Sequence, residues 1–186
     1  YVGELGYELY VKTSDAKIIY DKITEKGKKY NLSNCGMHAL DTMRMESGFL
    51  HWGHDISPEE NQFEAGLNFA ISFKKNTNFI GREVLEKIKD KNTDKKLKMI
   101  ILENSKPGEP LLLHDEPIFF KNKIVGRTTS GNFSFNFNKN LAFGYINSGM
   151  SHQEIENSEF EIEVEKKKFK ASILKRPLNS KKLSEI

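Results

Sequence analysis

The chain has 186 residues, of which 30% are charged and 37% hydrophobic, with a formal net charge of +3; that is enough core for one large domain or two small ones without staples. Its lysines and acids are interspersed, which excludes a concentrated nucleic-acid surface, and no apolar run approaches the ~20 residues of a membrane span. The single cysteine, Cys35, excludes an internal disulfide framework and a cysteine zinc site, suits a reducing cytoplasmic compartment, and reads as a small buried residue.

The chain opens on Tyr1-Val-Gly-Glu-Leu-Gly-Tyr-Glu-Leu-Tyr10. Gly3 and Gly6 bracket a tight turn, and the alternation that follows puts Tyr7, Leu9 and Val11 on one side of a strand and Glu8 and Tyr10 on the other. A carboxylate beside aromatic rings can accept two parallel hydrogen bonds from a flat heterocycle edge with two N–H donors, as in a pterin or guanine. The same spacing also fits an edge hairpin with a solvated glutamate. Tyr1 is not an initiator methionine, so the chain is expected to be a piece of a longer protein, with functional groups upstream.

Thr13 or Ser14 is placed to cap a helix over about 15–30, because Ala16, Ile19, Tyr20 and Ile23 fall at i, i+3, i+4 and i+7. A second helix is predicted over 36–46, with Ser33 or Asn34 as cap and Gly48 just past its end. Asp41 and Arg44 sit one turn apart on it, spaced for a surface ion pair. Phe49-Leu-His-Trp-Gly-His-Asp-Ile56 then gathers His51, His54, Asp55 and the only tryptophan, Trp52. His51 and His54 lack the i, i+4 spacing of a helical zinc pair, so no metal site is assigned. The alternatives are a ligand-lining loop with Trp52 as a flat wall, or Trp52 as core.

Leu67, Phe69, Ile71 and Phe73 alternate as a strand, and a third helix is predicted from Phe79-Ile-Gly-Arg82 to about Lys91. The lysine-rich stretch 87–98 reads as a solvated linker and the domain boundary. From Leu97 the chain turns to short strands: 98–103, a hairpin of 117–120 with 124–128, a loop at Ser130-Gly-Asn, a strand over 141–146, and a last hairpin of 160–165 with 169–174. About six antiparallel strands in so short a stretch predict a small closed or nearly closed barrel. The fold class is therefore α+β, with domains at 1–92 and 93–186; the segment after Arg176-Pro-Leu is expected to fray.

Eight segments in order, among them Tyr1–Tyr10, Ala39-Leu-Asp-Thr-Met-Arg-Met-Glu-Ser-Gly48, His51-Trp-Gly-His-Asp-Ile-Ser-Pro58, Phe79-Ile-Gly-Arg82 and Val125-Gly-Arg-Thr-Thr-Ser-Gly131, resemble the aminomethyltransferase family typified by the glycine cleavage T protein. The likeness is closest to the folate-binding tail of dimethylglycine and sarcosine dehydrogenases. It implies the later part of a mixed α/β folate-binding domain followed by a C-terminal antiparallel β-barrel. It also implies tetrahydrofolate as cofactor, a small-molecule amine as one-carbon donor, and room for an upstream flavin-binding dehydrogenase domain.

By the same resemblance Glu8 binds the pterin edge, Tyr1 lines the folate site, and Phe49 and Trp52 stand in the nearby loop. The family's catalytic aspartate is expected upstream of Tyr1, so this chain alone is expected to be inactive. Leu40 stands where the glycine-cleavage branch carries arginine, which favours the dehydrogenase-tail type. A folate-dependent demethylase of the same fold, or a non-catalytic folate-binding module, are the alternatives.

Overall fold

A computed structural model describes residues 1–147 and 149–178 of the chain; the expected fraying tail falls largely outside them. The second half is a closed six-stranded antiparallel barrel in the order β1-β4-β3-β2-β5-β6. Its strands are β1 (Lys95–Leu102), β2 (Pro117–Phe120), β3 (Lys123–Ser134), β4 (Lys139–Asn147), β5 (Phe160–Val164) and β6 (Lys167–Leu174). Both two-residue hairpin loops, Lys121-Asn122 and Glu165-Lys166, have positive φ at each position. That backbone matches the right-handed twist of the strands it joins.

Two cores flank the β1–β4 pair. Ile100, Leu102, Ala142 and Ile146 point into the barrel with Ile118, Phe160 and Ile162, while Leu97, Met99, Leu141, Phe143 and Tyr145 pack outside it against Met45. Burial on both faces explains why β4 is apolar without alternation, whereas β5, wet on one face, alternates cleanly. Each fully buried apolar side chain contributes about 1.5–3 kcal/mol of transfer free energy. A short helix, α4 (His152–Glu156), inserts Ile155 into the inner core.

The first half carries α1 (Thr13–Gly27), α2 (Met37–Glu46) and α3 (Arg82–Ile88). Helix α2 docks on the barrel through Met45 and through polar groups: Glu46 accepts from Ser134 at 2.5 Å and Asn136 at 2.7 Å. Helix α1 buries no residue, and Tyr7, Leu9, Tyr10, Ile18 and Tyr20 are exposed.

Several expectations are corrected. Residues 6–12 form no regular element and pair with no strand, and 67–73 form a 3₁₀ turn at Asn68–Ala70 instead of a strand. Period-two patterning alone does not make a strand without a ladder partner. Helices α1 and α2 have no side-chain cap; Lys12 and Gly36 stand at those positions. The third helix is shorter than expected, beginning at Arg82; its Val84 is exposed, as is Ile80 just ahead of it. Cys35 is exposed, not buried.

Strand β1 begins inside the presumed lysine linker, with Lys96 buried. Ser130-Gly-Asn is not a loop but the middle of β3, where a bulge between Thr128 and Ser130 absorbs the irregularity. Gly131 is needed there, since a Cβ would stand 2.6 Å from the side chain of Leu112.

Candidate functional site

The segment 49–56 joins α2 to the rest of the first half and is closed on itself. The His51 carbonyl accepts from the backbone of His54 and Asp55, and Gly53, at φ 89°, donates to the Ile56 carbonyl at 2.7 Å. This positive φ suits glycine and allows the reversal that pairs Trp52 with Ile56. Trp52 is 64% exposed, so it is not core.

The loop is anchored by charge. Asp55, with no exposed surface, receives Arg44 Nη1 at 2.9 Å, the His51 N–H at 2.8 Å, Ser130 Oγ at 2.8 Å and Thr129 Oγ1 at 2.5 Å. Arg44 also donates to Asp41 at 2.9 Å, to the Phe49 carbonyl at 3.1 Å and to Ser130 at 2.9 Å. The Asp41–Arg44 pair expected at the surface is therefore one edge of a buried network. Every buried side-chain nitrogen and oxygen in it has at least one partner, which is the condition for charges to sit in a low-dielectric interior.

Above this anchor Tyr1 lies against the loop. Its hydroxyl donates to the Leu50 carbonyl at 2.7 Å, and its ring centroid is 5.0 Å from that of Phe49, at a 33° tilt. Desolvation raises the Tyr1 phenol pKa above its usual value, so it stays a hydrogen-bond donor.

Tyr1 and Phe49 line a cavity of about 420 Å³ between the two halves. Its walls are largely apolar, with Leu67, Leu97, Met99 and Phe143 among them, and Lys175 and Arg176 join the lining from the end of β6. A cavity of this size takes a small organic ligand. Apolar walls beside two exposed cations suit a flat ring system that carries an anionic end.

Of the residues singled out in the sequence, Tyr1 and Phe49 are thus brought together. Glu8 and Trp52 line none of the described cavities. Glu8 lies on the exposed opening stretch, where its carboxylate accepts from the Tyr10 hydroxyl at 2.6 Å. Sequence reasoning missed the roles of Asp55, Thr129 and Ser130, and the cavity placement of Lys175.

A second, smaller cleft of about 160 Å³ gathers His38, His51, His54 and His114 near Arg44. The His51 and His54 rings stack at 4.6 Å. Among the described residues no three His, Cys, Asp or Glu side chains are placed to hold a metal ion.

Residues 1–75 match the family model of the GCVT N-terminal domain, and residues 95–179 that of the glycine cleavage T-protein C-terminal barrel domain. The mitochondrial dimethylglycine dehydrogenase of Rattus norvegicus is 33% identical over 178 residues, covering 96% of this chain and 20% of that protein. The aminomethyltransferase of Bacillus subtilis is 36% identical over 177 residues, covering 95% of this chain and 47% of that one. The crystal structure of glycine cleavage system aminomethyltransferase T from Bartonella henselae superposes with a TM-score of 0.74 at 21% identity, over 89% of this chain and 44% of that one. The chain thus spans about half the length of the aminomethyltransferases it matches and a fifth of the dehydrogenase.

Proposed function

Because the chain belongs to the aminomethyltransferase family of the glycine cleavage T protein, we propose that it forms the folate-holding side of a tetrahydrofolate-dependent one-carbon transferase acting on an amine donor. The observation that carries this reading is the cavity walled by Tyr1 and Phe49, with Lys175 and Arg176 also in its lining. Tetrahydrofolate joins a flat pterin, an aryl ring and a glutamate, so its apolar middle and anionic end match this lining. When bound, it supplies the nitrogens that accept the one-carbon unit.

The chain's own contribution is to hold and to dry. Transfer between two bound small molecules depends chiefly on alignment and on keeping water out. Tyr1 and Phe49 provide apolar cover, Lys175 and Arg176 neutralise carboxylates, and Glu8 is assigned to the pterin edge with Trp52 as a neighbouring wall. Leu40, half-buried on α2, brings no charge where the glycine-cleavage branch has arginine. This favours a donor of the dimethylglycine or sarcosine type over the glycine-cleavage intermediate.

The test is calorimetric titration of the full-length protein with tetrahydrofolate and, separately, with p-aminobenzoylglutamate, followed by assay of methylene-tetrahydrofolate formation from dimethylglycine or sarcosine with a two-electron acceptor supplied, since the N-methyl carbon must be oxidised to the iminium level before it is transferred. Binding of both ligands, weakened by Tyr1→Ala and by Arg176→Ala, is expected. Tetrahydrofolate binding that neither variant alters would remove the cavity from the site.

A further inference from the structure

The loop that carries the aromatic wall is tied down at two backbone points by one ion pair. Arg44 Nη1 holds the Phe49 carbonyl at 3.1 Å, and Asp55 Oδ2 holds the His51 N–H at 2.8 Å. Between these points stands Leu50, whose carbonyl accepts the Tyr1 hydroxyl at 2.7 Å. Neither Arg44 nor Asp55 lines the 420 Å³ cavity, yet everything Tyr1 leans on there is fixed by them.

The barrel supplies the other side of the clamp. Thr129 Oγ1 and Ser130 Oγ donate to the same oxygen of Asp55, at 2.5 and 2.8 Å. Consecutive residues of a regular strand face opposite ways, so two neighbours cannot both reach one atom. The bulge between Thr128 and Ser130 removes that restriction. Bulges re-aim side chains in this manner, at the expense of a regular ladder.

From this geometry we propose that Arg44 and Asp55, aimed by the bulged Thr129-Ser130 pair, are positioning residues for the Tyr1–Phe49 wall and so set the affinity of the cavity for its ligand. The proposal rests on the reading of that cavity as the folate site. An apolar pair could fill the same volume and support the same fold. Only a donor and an acceptor can also grip a carbonyl and an N–H two residues apart. The barrel therefore transmits its own position to the wall through two hydroxyls.

The experiment uses the full-length protein with Asp55→Asn, Thr129→Val and Thr129→Ser, read by amide exchange at residues 49–52, by the fluorine resonance of 3-fluorotyrosine at Tyr1, and by the dissociation constant for tetrahydrofolate. Expected for Thr129→Val are faster exchange, a shifted resonance and an affinity about 10-fold weaker, the low end of what one hydrogen bond to a charged group contributes. Thr129→Ser is expected to restore all three. Asp55→Asn, where it folds, should move each readout further in the same direction.

Unchanged exchange and an unchanged Tyr1 resonance in Thr129→Val overturn the proposal, and so does altered exchange with an unaltered dissociation constant. If the unsubstituted protein binds no tetrahydrofolate, the reading of the cavity fails. Exchange and the Tyr1 resonance then decide the positioning claim by themselves.

Discussion

Arg44 and Asp55 meet at 2.9 Å across the seam between α2 and the 49–56 loop, with 3% and 0% of their side chains exposed. Removing one partner leaves the other charged and buried, which costs about 3–5 kcal/mol. Asp55→Ala should therefore lower the free energy of unfolding in urea by that order. Replacing both with apolar residues of similar volume should cost less than the sum of the two single losses, because no fully buried charge is stranded, although Asp41, Thr129, Ser130 and the His51 N–H lose a partner. A double-mutant cycle of Asp55→Leu and Arg44→Met measures the coupling; additive losses would contradict the assignment of a tight pair.

Gly126 of β3 faces the Tyr145 carbonyl of β4 so closely that a Cβ would stand 1.8 Å from that oxygen. The atom met is backbone, so relief requires the strands to part. Gly126→Ala is expected to destabilise the barrel by about 1–3 kcal/mol, the range of overpacking, with faster exchange at the β3–β4 amides. Gly6, whose added Cβ would meet nothing closer than a backbone oxygen at 3.9 Å, is the control that should tolerate alanine.

Partial burial pushes the Glu60 carboxyl upward, but hydrogen bonds from Lys95 Nζ at 2.8 Å and from the hydroxyl and N–H of Ser57 at 2.6 and 2.9 Å outweigh it. The net effect holds Glu60 below the usual carboxylate range. A folded pKa lower than the unfolded one gives stability that is complete above the unfolded pKa and lost as pH falls through the folded pKa. Glu60→Gln should therefore be less stable than the parent near neutral pH and indistinguishable from it below the depressed pKa. Urea midpoints across an acid series check this; a difference that persists in strong acid would point to lost packing instead.

Legibility in the sequence followed how local each feature is. The β2–β3 and β5–β6 hairpins were readable because alternation and a two-residue turn lie within a few positions, and the barrel followed from their number. Helix α4 could have been found from Ser151-His-Gln-Glu154, whose reciprocal capping box is present. The Asp55 network was not readable: Arg44 and Ser130, directly bonded in it, are 86 residues apart, and the bulge that aims Thr129 and Ser130 has no composition of its own. Tyr1 and Phe49 were named through family resemblance, and only the fold puts their rings in contact.

Trp52 gives the most direct view of ligand binding, because it is the only tryptophan and stands 64% exposed on the same loop as Phe49. Emission from so wet an indole should be red-shifted and readily quenched by acrylamide. If Trp52 and Glu8 flank the pterin as proposed, tetrahydrofolate should blue-shift the emission and protect it from quencher. Glu8 must present both carboxylate oxygens for a two-point contact, so Glu8→Gln is expected to weaken binding roughly 10- to 100-fold, the scale of a lost charge-assisted hydrogen bond. Tyr10→Phe frees the oxygen that the Tyr10 hydroxyl now holds, and should leave affinity unchanged or improve it. A titration in which tetrahydrofolate binds by calorimetry while Trp52 stays fully quenchable would place the pterin elsewhere, and unchanged affinity in Glu8→Gln would remove that carboxylate from the site.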